Sequence, residues 1–289
     1  MALITMEEIE GLSPMFKGEK GHARAKRVMR MLGIDQLAER YERHEDLAGP
    51  DFVEAFLKDL NVNYQVSGME HLAALAQGPF ITVSNHPYGG LDGLILIDLV
   101  GHVREDYRVR ANQFLTMVKT IKDNFISVIP ATKDSIKATK ESIAGVRTAL
   151  LHLKENHPLG LCPSGAVSDF HLRDFRVYDR EWQRSAIRLI QKANVPVVPI
   201  RFFDRNSSYF YFLGLINLKV RTLRLPKEVL NKGGKQVRIG IGSVISVEEQ
   251  QRFLTTESFG KMLRERVYGM AMPDRFEARN AINFEKLSH

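Results

Sequence analysis

Pro79-Phe80-Ile81-Thr82-Val83-Ser84-Asn85-His86-Pro87-Tyr88-Gly89-Gly90-Leu91-Asp92-Gly93 carries the chain from a short apolar run into a glycine-rich turn, and a second apolar run continues to Val100. Pro79 to Ser84, bounded by turn formers, reads as a strand, and Pro87, Gly89 and Gly90 suit a sharp reversal. The run from Leu91 to Val100 predicts a helix that begins where the turn ends. A strand delivered through a tight turn into a helix is the repeating unit of layered α/β folds.

The same stretch holds two groups that suit proton chemistry. Imidazole accepts a proton near neutral pH, and a carboxylate on its second ring nitrogen fixes the tautomer and stabilises the imidazolium. His86 and Asp92 supply that pair of residue types, and the small residues at the helix start would offer backbone N–H groups to a developing oxyanion. The spacing equally describes a strand-to-helix turn whose histidine only bonds the local backbone.

Working outward, short apolar strands alternate with helices from Asn63 onward. Strands are predicted at Tyr64 to Ser67, Phe80 to Ser84, Arg108 to Ala111, Phe125 to Ile129, Leu159 to Cys162, Val197 to Phe202, Tyr209 to Phe212 and Gln236 to Ile241. A long helix is predicted from Lys133 to Asn156. Such alternation predicts an α/β fold with a mixed, largely parallel central sheet flanked by helices, and ligands of such sheets gather at the carboxyl ends of strands. Before Asn63 the pattern is helical. Ala25, Val28, Met29 and Leu32 line one face of a helix whose other side carries Lys20, Arg24, Arg27 and Arg30, and Gly33 ends it. Helices are also predicted from Gln36 to His44 and, capped by Asp51, through Leu60. We divide the chain into an N-terminal helical cap, residues 1–62, and an α/β domain, residues 63–289.

Three segments in order resemble the motifs of the glycerolipid and lysophospholipid acyltransferases. Asn85-His86 with its following Asp92 is similar to the first. Gly160-Leu161-Cys162-Pro163-Ser164-Gly165-Ala166-Val167-Ser168 resembles the third, and Val195-Pro196-Val197-Val198-Pro199-Ile200 the fourth; the likeness spans about Tyr64 to Ile245. Five residues separate His86 from Asp92, one more than the usual family spacer. That longer turn resembles the lyso-ornithine-lipid and hemolysin-like branches. Ser164 stands where the family usually has Glu, and Phe125 to Pro130 lacks the Arg that ends the second motif.

The resemblance implies a glycerol-3-phosphate acyltransferase-like fold and acyl transfer from an acyl thioester, acyl-ACP or acyl-CoA, to the hydroxyl of a lyso-lipid, with no other cofactor. His86 would be the general base and Asp92 its orienting partner. Asn85, Gly89, Gly90, Pro163, Ser164 and Gly165 would line the substrate site, with N–H groups of Gly89, Gly90 or Gly165 facing the oxyanion. The departures at Ser164 and in the second motif bring lyso-aminolipids into competition with phosphate-bearing acceptors. A rival is a hydrolase with Ser164 or Cys162 as nucleophile, although Gly-x-Ser-x-Gly is absent. Another is a basic membrane-binding protein without catalysis.

Composition bounds these readings. With 289 residues, 44% of them hydrophobic, the chain can bury one large core. A single Cys excludes an internal disulfide, the N-terminus lacks the pattern of a signal peptide, and no apolar run reaches the ~18 residues that span a bilayer. We expect a cytoplasmic protein, peripheral on the inner face of the cytoplasmic membrane. A net charge of +7 suits an anionic lipid surface and equally nucleic acid, but no nucleic-acid-binding motif is present. Arg173 and Arg176 lie near enough to the third motif to hold an acceptor or pantetheine phosphate. Arg180, Arg184 and Arg188 are predicted to share one helix face, with Asp174, Asp179 and Glu181 as surface ion-pair partners. Tyr209 to Leu218, followed by Lys219, Arg221, Arg224 and Lys227, suits interfacial docking as well, but we assign it to a core strand. His152 and His157 lack a partner set for a metal, and no metal is expected.

Overall fold

The structure is a computed structural model and describes residues 17–75, 77–112, 118–128 and 140–287. The strands of its main sheet are β1 (Tyr64–Ser67), β2 (Ile81–Ser84), β3 (Arg108–Asn112), β4 (Phe125–Val128), β5 (Leu159–Leu161), β8 (Val197–Phe202), β9 (Val237–Ile241) and β10 (Glu277–Ala278), while β6 (Asp169–His171) and β7 (Arg176–Tyr178) form a separate antiparallel hairpin. The eight-stranded order is β10-β1-β9-β8-β2-β5-β3-β4. Only the β1–β10 and β8–β9 pairs run antiparallel. β2 is central, parallel to β8 on one side and β5 on the other, with Ser84 opposite Ile200 and Val83 opposite Leu161. The register therefore brings the segments after Ser84 and Leu161 to one edge of the sheet, side by side.

The helices are α1 (Gly18–Leu32), α2 (Ile34–Glu42), α3 (Gly49–Asp59), α4 (Glu70–Ala73), α5 (Gly90–Gly101), α6 (Lys140–Lys154), α7 (Arg184–Ala193), α8 (Ser208–Ile216), α9 (Leu218–Leu223), α10 (Leu225–Leu230), α11 (Val247–Gln250) and α12 (Thr256–Tyr268). α5 is apolar around its circumference because it is enclosed on all sides, and every residue from Leu91 to Gly101 is buried. Truncating one of its large side chains, Ile95 or Leu99, should cost about 2–5 kcal/mol. That packing holds Asp92 rigidly in the first turn. Phe52, Val53, Phe56 and Leu57 of α3 share a core cluster with Ile95 and Leu99, so the N-terminal helices complete the core on the outer side of α5. Ile81, Val83, Leu159 and Leu161 face a second cluster with α7 and α12.

Several expectations change. Tyr209 to Phe212 is not a strand: the residues lie in α8, whose start is capped by Ser207 accepting from the Phe210 N–H. The alternation Tyr-Phe-Tyr-Phe imitates a strand period, but β8 is already flanked by β2 and β9, leaving no place in the sheet beside it. Ala48 rather than Asp51 occupies the N-cap of α3, with Pro50 in its first turn. α7 starts at Arg184, so Arg180 does not share its face and instead pairs with Asp169. Arg184 and Arg188 are exposed with no ion pair among the described residues, and Asp179 is wholly buried rather than a surface partner. Of the helix expected from Lys133, residues 133–139 lie outside the described residues. α1 ends at Gly33, whose φ of 76° suits glycine, with its basic side exposed.

Candidate active site

The chain leaves β2 at Ser84 and is immediately tied down. The Asn85 amide donates from Nδ2 to the Phe202 carbonyl at 2.9 Å and accepts from the Phe202 N–H at 2.8 Å, extending the β2–β8 ladder by one side chain. Asn85, expected to touch substrate, has both ends of its amide committed to the backbone. The His86 N–H donates to Asp179 Oδ1 at 3.1 Å, and its carbonyl accepts from the Ser168 N–H at 2.9 Å. The ring is thus held from both sides of its own peptide.

Gly89 turns the chain at φ 83°, where a Cβ would lie 3.0 Å from Leu225 and 3.2 Å from Val167, so glycine is required by both conformation and space. Asp92 is the third residue of α5 and reaches back in a capping arrangement. Its Oδ2 accepts from the N–H groups of Tyr88 at 2.9 Å and Gly89 at 3.0 Å and lies 2.9 Å from His86 Nδ1, a contact bent away from a linear hydrogen bond. Asp92 is fully buried, whereas the His86 side chain is 21% exposed. One oxygen therefore orients the turn and the imidazole together.

Burial works against a charged imidazole, but the Cys162 sulfur beside the ring and the Asp92 carboxylate more than offset it, holding the His86 pKa well above its ordinary value. Burial pushes the Asp92 carboxyl up, with His86 and the two N–H groups acting in the opposite sense. The pair is best regarded as a coupled unit that shares a proton.

The second loop at this edge places Cys162 partly exposed, its sulfur 3.4 Å from Ser84 Oγ. Pro163 and Ser164 are buried. Ser164 Oγ donates to the Ala166 carbonyl at 2.8 Å, which directs its proton into its own loop. Gly165 N–H donates to the Cys162 carbonyl at 3.0 Å and Gly89 N–H to Asp92. Neither is free for an oxyanion, contrary to expectation. Gly90, first residue of α5, has no bond to its N–H among the described residues and is the one of the three whose N–H is uncommitted there. Arg173 and Arg176 are not brought to His86 either. Both are exposed toward the tip of the β6–β7 hairpin, and no hydrogen bond or ion pair joins either side chain to the residues around His86 among the described residues.

Glu54, Asp98 and His102 bring ligand atoms within 4.8 Å of one another. The Arg279 guanidinium already bonds both Asp98 oxygens and Glu54, so a cation is in place without a metal. His152 bonds the Pro158 carbonyl and His157 the Asp106 carboxylate.

The sequence model of the family described as acyltransferase matches residues 25–272, which includes the whole of this site. The chain belongs to the acyltransferase family. Two curated relatives are each named lyso-glycine lipid O-acyltransferase. That of Phocaeicola vulgatus is 26% identical over 245 residues, covering 81% of this chain and 82% of its own. That of Bacteroides thetaiotaomicron is 26% identical over 234 residues, covering 78% and 81%. Among solved structures, the 1-acyl-sn-glycerophosphate (LPA) acyltransferase PlsC of Thermotoga maritima is similar at 16% identity and a TM-score of 0.44, covering 76% of this chain and 80% of that one.

The roles of three residues of this acyltransferase carry no signal in the sequence. Asp179 accepts from His86 N–H and from Ser168 Oγ at 2.6 Å through one oxygen and from Trp182 Nε1 at 3.2 Å through the other, locking both loops together. Arg221, buried on α9, pairs with Asp169 and donates to the Ser168 and Val167 carbonyls, fastening the second loop. Arg110 on β3 is half-buried, its Nε enclosed without a hydrogen-bond partner among the described residues, and burial pushes its pKa down. Its strand lies two places from β2. A lone Arg, an Asp in a basic run and an Arg in a basic cluster give no local signal of burial.

Proposed function

We propose that this acyltransferase moves a fatty acyl group from an acyl thioester, on acyl carrier protein or coenzyme A, to the hydroxyl of a lyso-aminolipid at the inner face of the cytoplasmic membrane. The observation that carries the reading is the imidazole at the lip of the sheet, partly exposed and 2.9 Å from a buried carboxylate. His86 Nε2 takes the proton of the lipid hydroxyl as that oxygen attacks the thioester carbonyl. The carbonyl oxygen becomes an oxyanion facing the Gly90 N–H. Collapse breaks the C–S bond, and the proton on His86 passes to the leaving thiolate. Asp92 keeps Nδ1 as the proton-bearing nitrogen throughout.

Acceptor class follows from charge. Both curated relatives are named for a lyso-glycine lipid, and a carboxylate-bearing headgroup matches the guanidinium of Arg110, whose Nε has no hydrogen-bond partner among the described residues; we assign the carboxylate to it. Ser164, without the charge of the family's usual Glu, lines the acceptor side together with Pro163. Among the described residues no helix is long and apolar enough to cross a membrane, so the lipid is met at the surface.

The test is an assay of purified protein with labelled acyl-ACP or acyl-CoA and three acceptors: lyso-glycine lipid, lyso-ornithine lipid and lysophosphatidic acid. Transfer to an amino-acid lipid ahead of lysophosphatidic acid supports the reading. Exclusive use of lysophosphatidic acid refutes the acceptor assignment, and label retained on Cys162 or Ser164 after denaturation refutes direct transfer.

A further inference from the structure

α8 carries no charged residue, yet only Phe210 and Tyr211 are buried. Tyr209, Phe212, Leu215 and Ile216 are exposed, Ile216 to 68%. A helix apolar on all sides belongs inside a protein or in contact with lipid. The surface continues onto α9, where Val220 and Leu223 are exposed, and onto the hairpin tip, where Leu172 and Phe175 are exposed, Phe175 to 75%. These pieces adjoin, because Arg221 of α9 pairs with Asp169 of β6 and its guanidinium lies 5.2 Å from the Phe210 ring of α8. Exposed apolar patches of this kind mark contact surfaces.

Its charge says which kind. From Ser208 to Lys227 there is no acidic residue and there are four basic ones, of which Arg221 is paired with Asp169 and Arg224 with Glu228. Lys219 at the start of α9 and Arg173 and Arg176 on the hairpin are exposed and form no ion pair among the described residues. A second copy of the chain would bring these cations against themselves, whereas an anionic bilayer complements them and admits the apolar side chains between its headgroups. The face also adjoins the site, since α9 leads through Leu225, which packs on Gly89 of the His86 turn.

Building on the lipid-acylation reading, we propose that α8, α9 and the tip of the β6–β7 hairpin are the docking face that seats this acyltransferase on an anionic lipid bilayer, with the lipid entering past Leu225 toward His86. The tip arginines then meet headgroup phosphates of the bilayer rather than the reacting molecule.

The test compares wild type with F212S/I216S and with K219E. Sedimentation uses phosphatidylcholine vesicles with and without phosphatidylglycerol, and acyl transfer is assayed with acceptor in vesicles and in detergent micelles. Wild type should bind phosphatidylglycerol vesicles, more weakly at high salt. F212S/I216S should lose binding by roughly tenfold per side chain. K219E, which removes a positive charge and adds a negative one, should lose at least about fivefold. Both should lose transfer in vesicles while keeping micellar turnover, which also shows that they are folded. Wild-type affinity in both variants overturns the proposal, as does a wild-type dimer that F212S/I216S converts to monomer without any change in vesicle binding. Wild type that binds vesicles through this face but acylates no acceptor upholds the docking face and sinks the catalytic reading instead.

Discussion

Replacing Asp92 by Asn keeps the shape of the side chain and removes its charge. The Oδ2 atom faces His86 Nδ1 at 2.9 Å and the N–H groups of Tyr88 and Gly89. An Asn oxygen can still accept from the two backbone donors, so the turn should persist. What is lost is the difference between a charged and a neutral partner for the imidazolium formed in the transition state, about 1.5–3 kcal/mol for a charge-assisted bond. That corresponds to a fall in kcat of roughly 10- to 150-fold. The pH profile gives the sharper sign. Activity requires neutral His86 and rises with pH through its pKa, which Asp92 helps to raise. D92N should therefore move the acid limb of kcat/KM to lower pH even as the plateau drops. Stability carries two opposed contributions. Burial raises the Asp92 pKa, so the ionised carboxylate costs folding free energy as pH rises through its unfolded value, about 3.9, and Asn escapes that cost. The raised His86 pKa stabilises the fold below the unfolded imidazole value, about 6.5, and that gain is lost as pH rises through the folded one; D92N gives part of it up, so its Tm should compare best with wild type at alkaline pH. The assay is initial rates from acid to mildly alkaline pH beside thermal melts. A D92N enzyme with an unmoved acid limb and wild-type kcat would show that Asp92 serves only the helix start, and would refute the pairing.

C162A should keep most of its turnover, with an acid limb shifted to lower pH because the sulfur no longer raises His86; loss of all activity would point to a thiol nucleophile instead. R110M should raise KM for a carboxylate-bearing acceptor by about tenfold or more while leaving KM for the acyl donor unchanged, measured by varying each substrate in turn. Asp98 is held by Tyr64, His102 and Arg279, and its pKa is lowered although burial opposes this. Its stabilisation is present above the unfolded carboxylate value and lost as pH falls through the lower folded one. D98N should cost about 3–5 kcal/mol at neutral pH in urea melts, and the gap from wild type should close in acid.

What the sequence made legible was the strand, turn and helix around His86. There, local preference and final packing agree: Gly89 needs its positive φ, and the apolar run after it is enclosed on all sides. That the sheet is mixed and largely parallel was likewise implied by alternation with helices, although its strand order was not. Asp179 was misread because a carboxylate among arginines resembles a solvated pair, and only the fold shows it under His86. α8 was misread because four alternating aromatic residues fit either period until the places in the sheet are filled. Ser168 and Arg221 join segments 53 residues apart in sequence, and no local pattern records such a meeting. Gly165 and Gly89 were expected to face the oxyanion, but their N–H groups are already engaged, a matter of bond direction rather than of composition.

The central claim is that His86 itself removes the proton from the acceptor hydroxyl. It is tested most directly by the single-turnover rate of acyl transfer in H86A, with thermal melting and vesicle binding measured on the same preparation. A fall of about 10²- to 10⁴-fold with folding and binding unchanged is the result predicted. A rate within a few fold of wild type would contradict it.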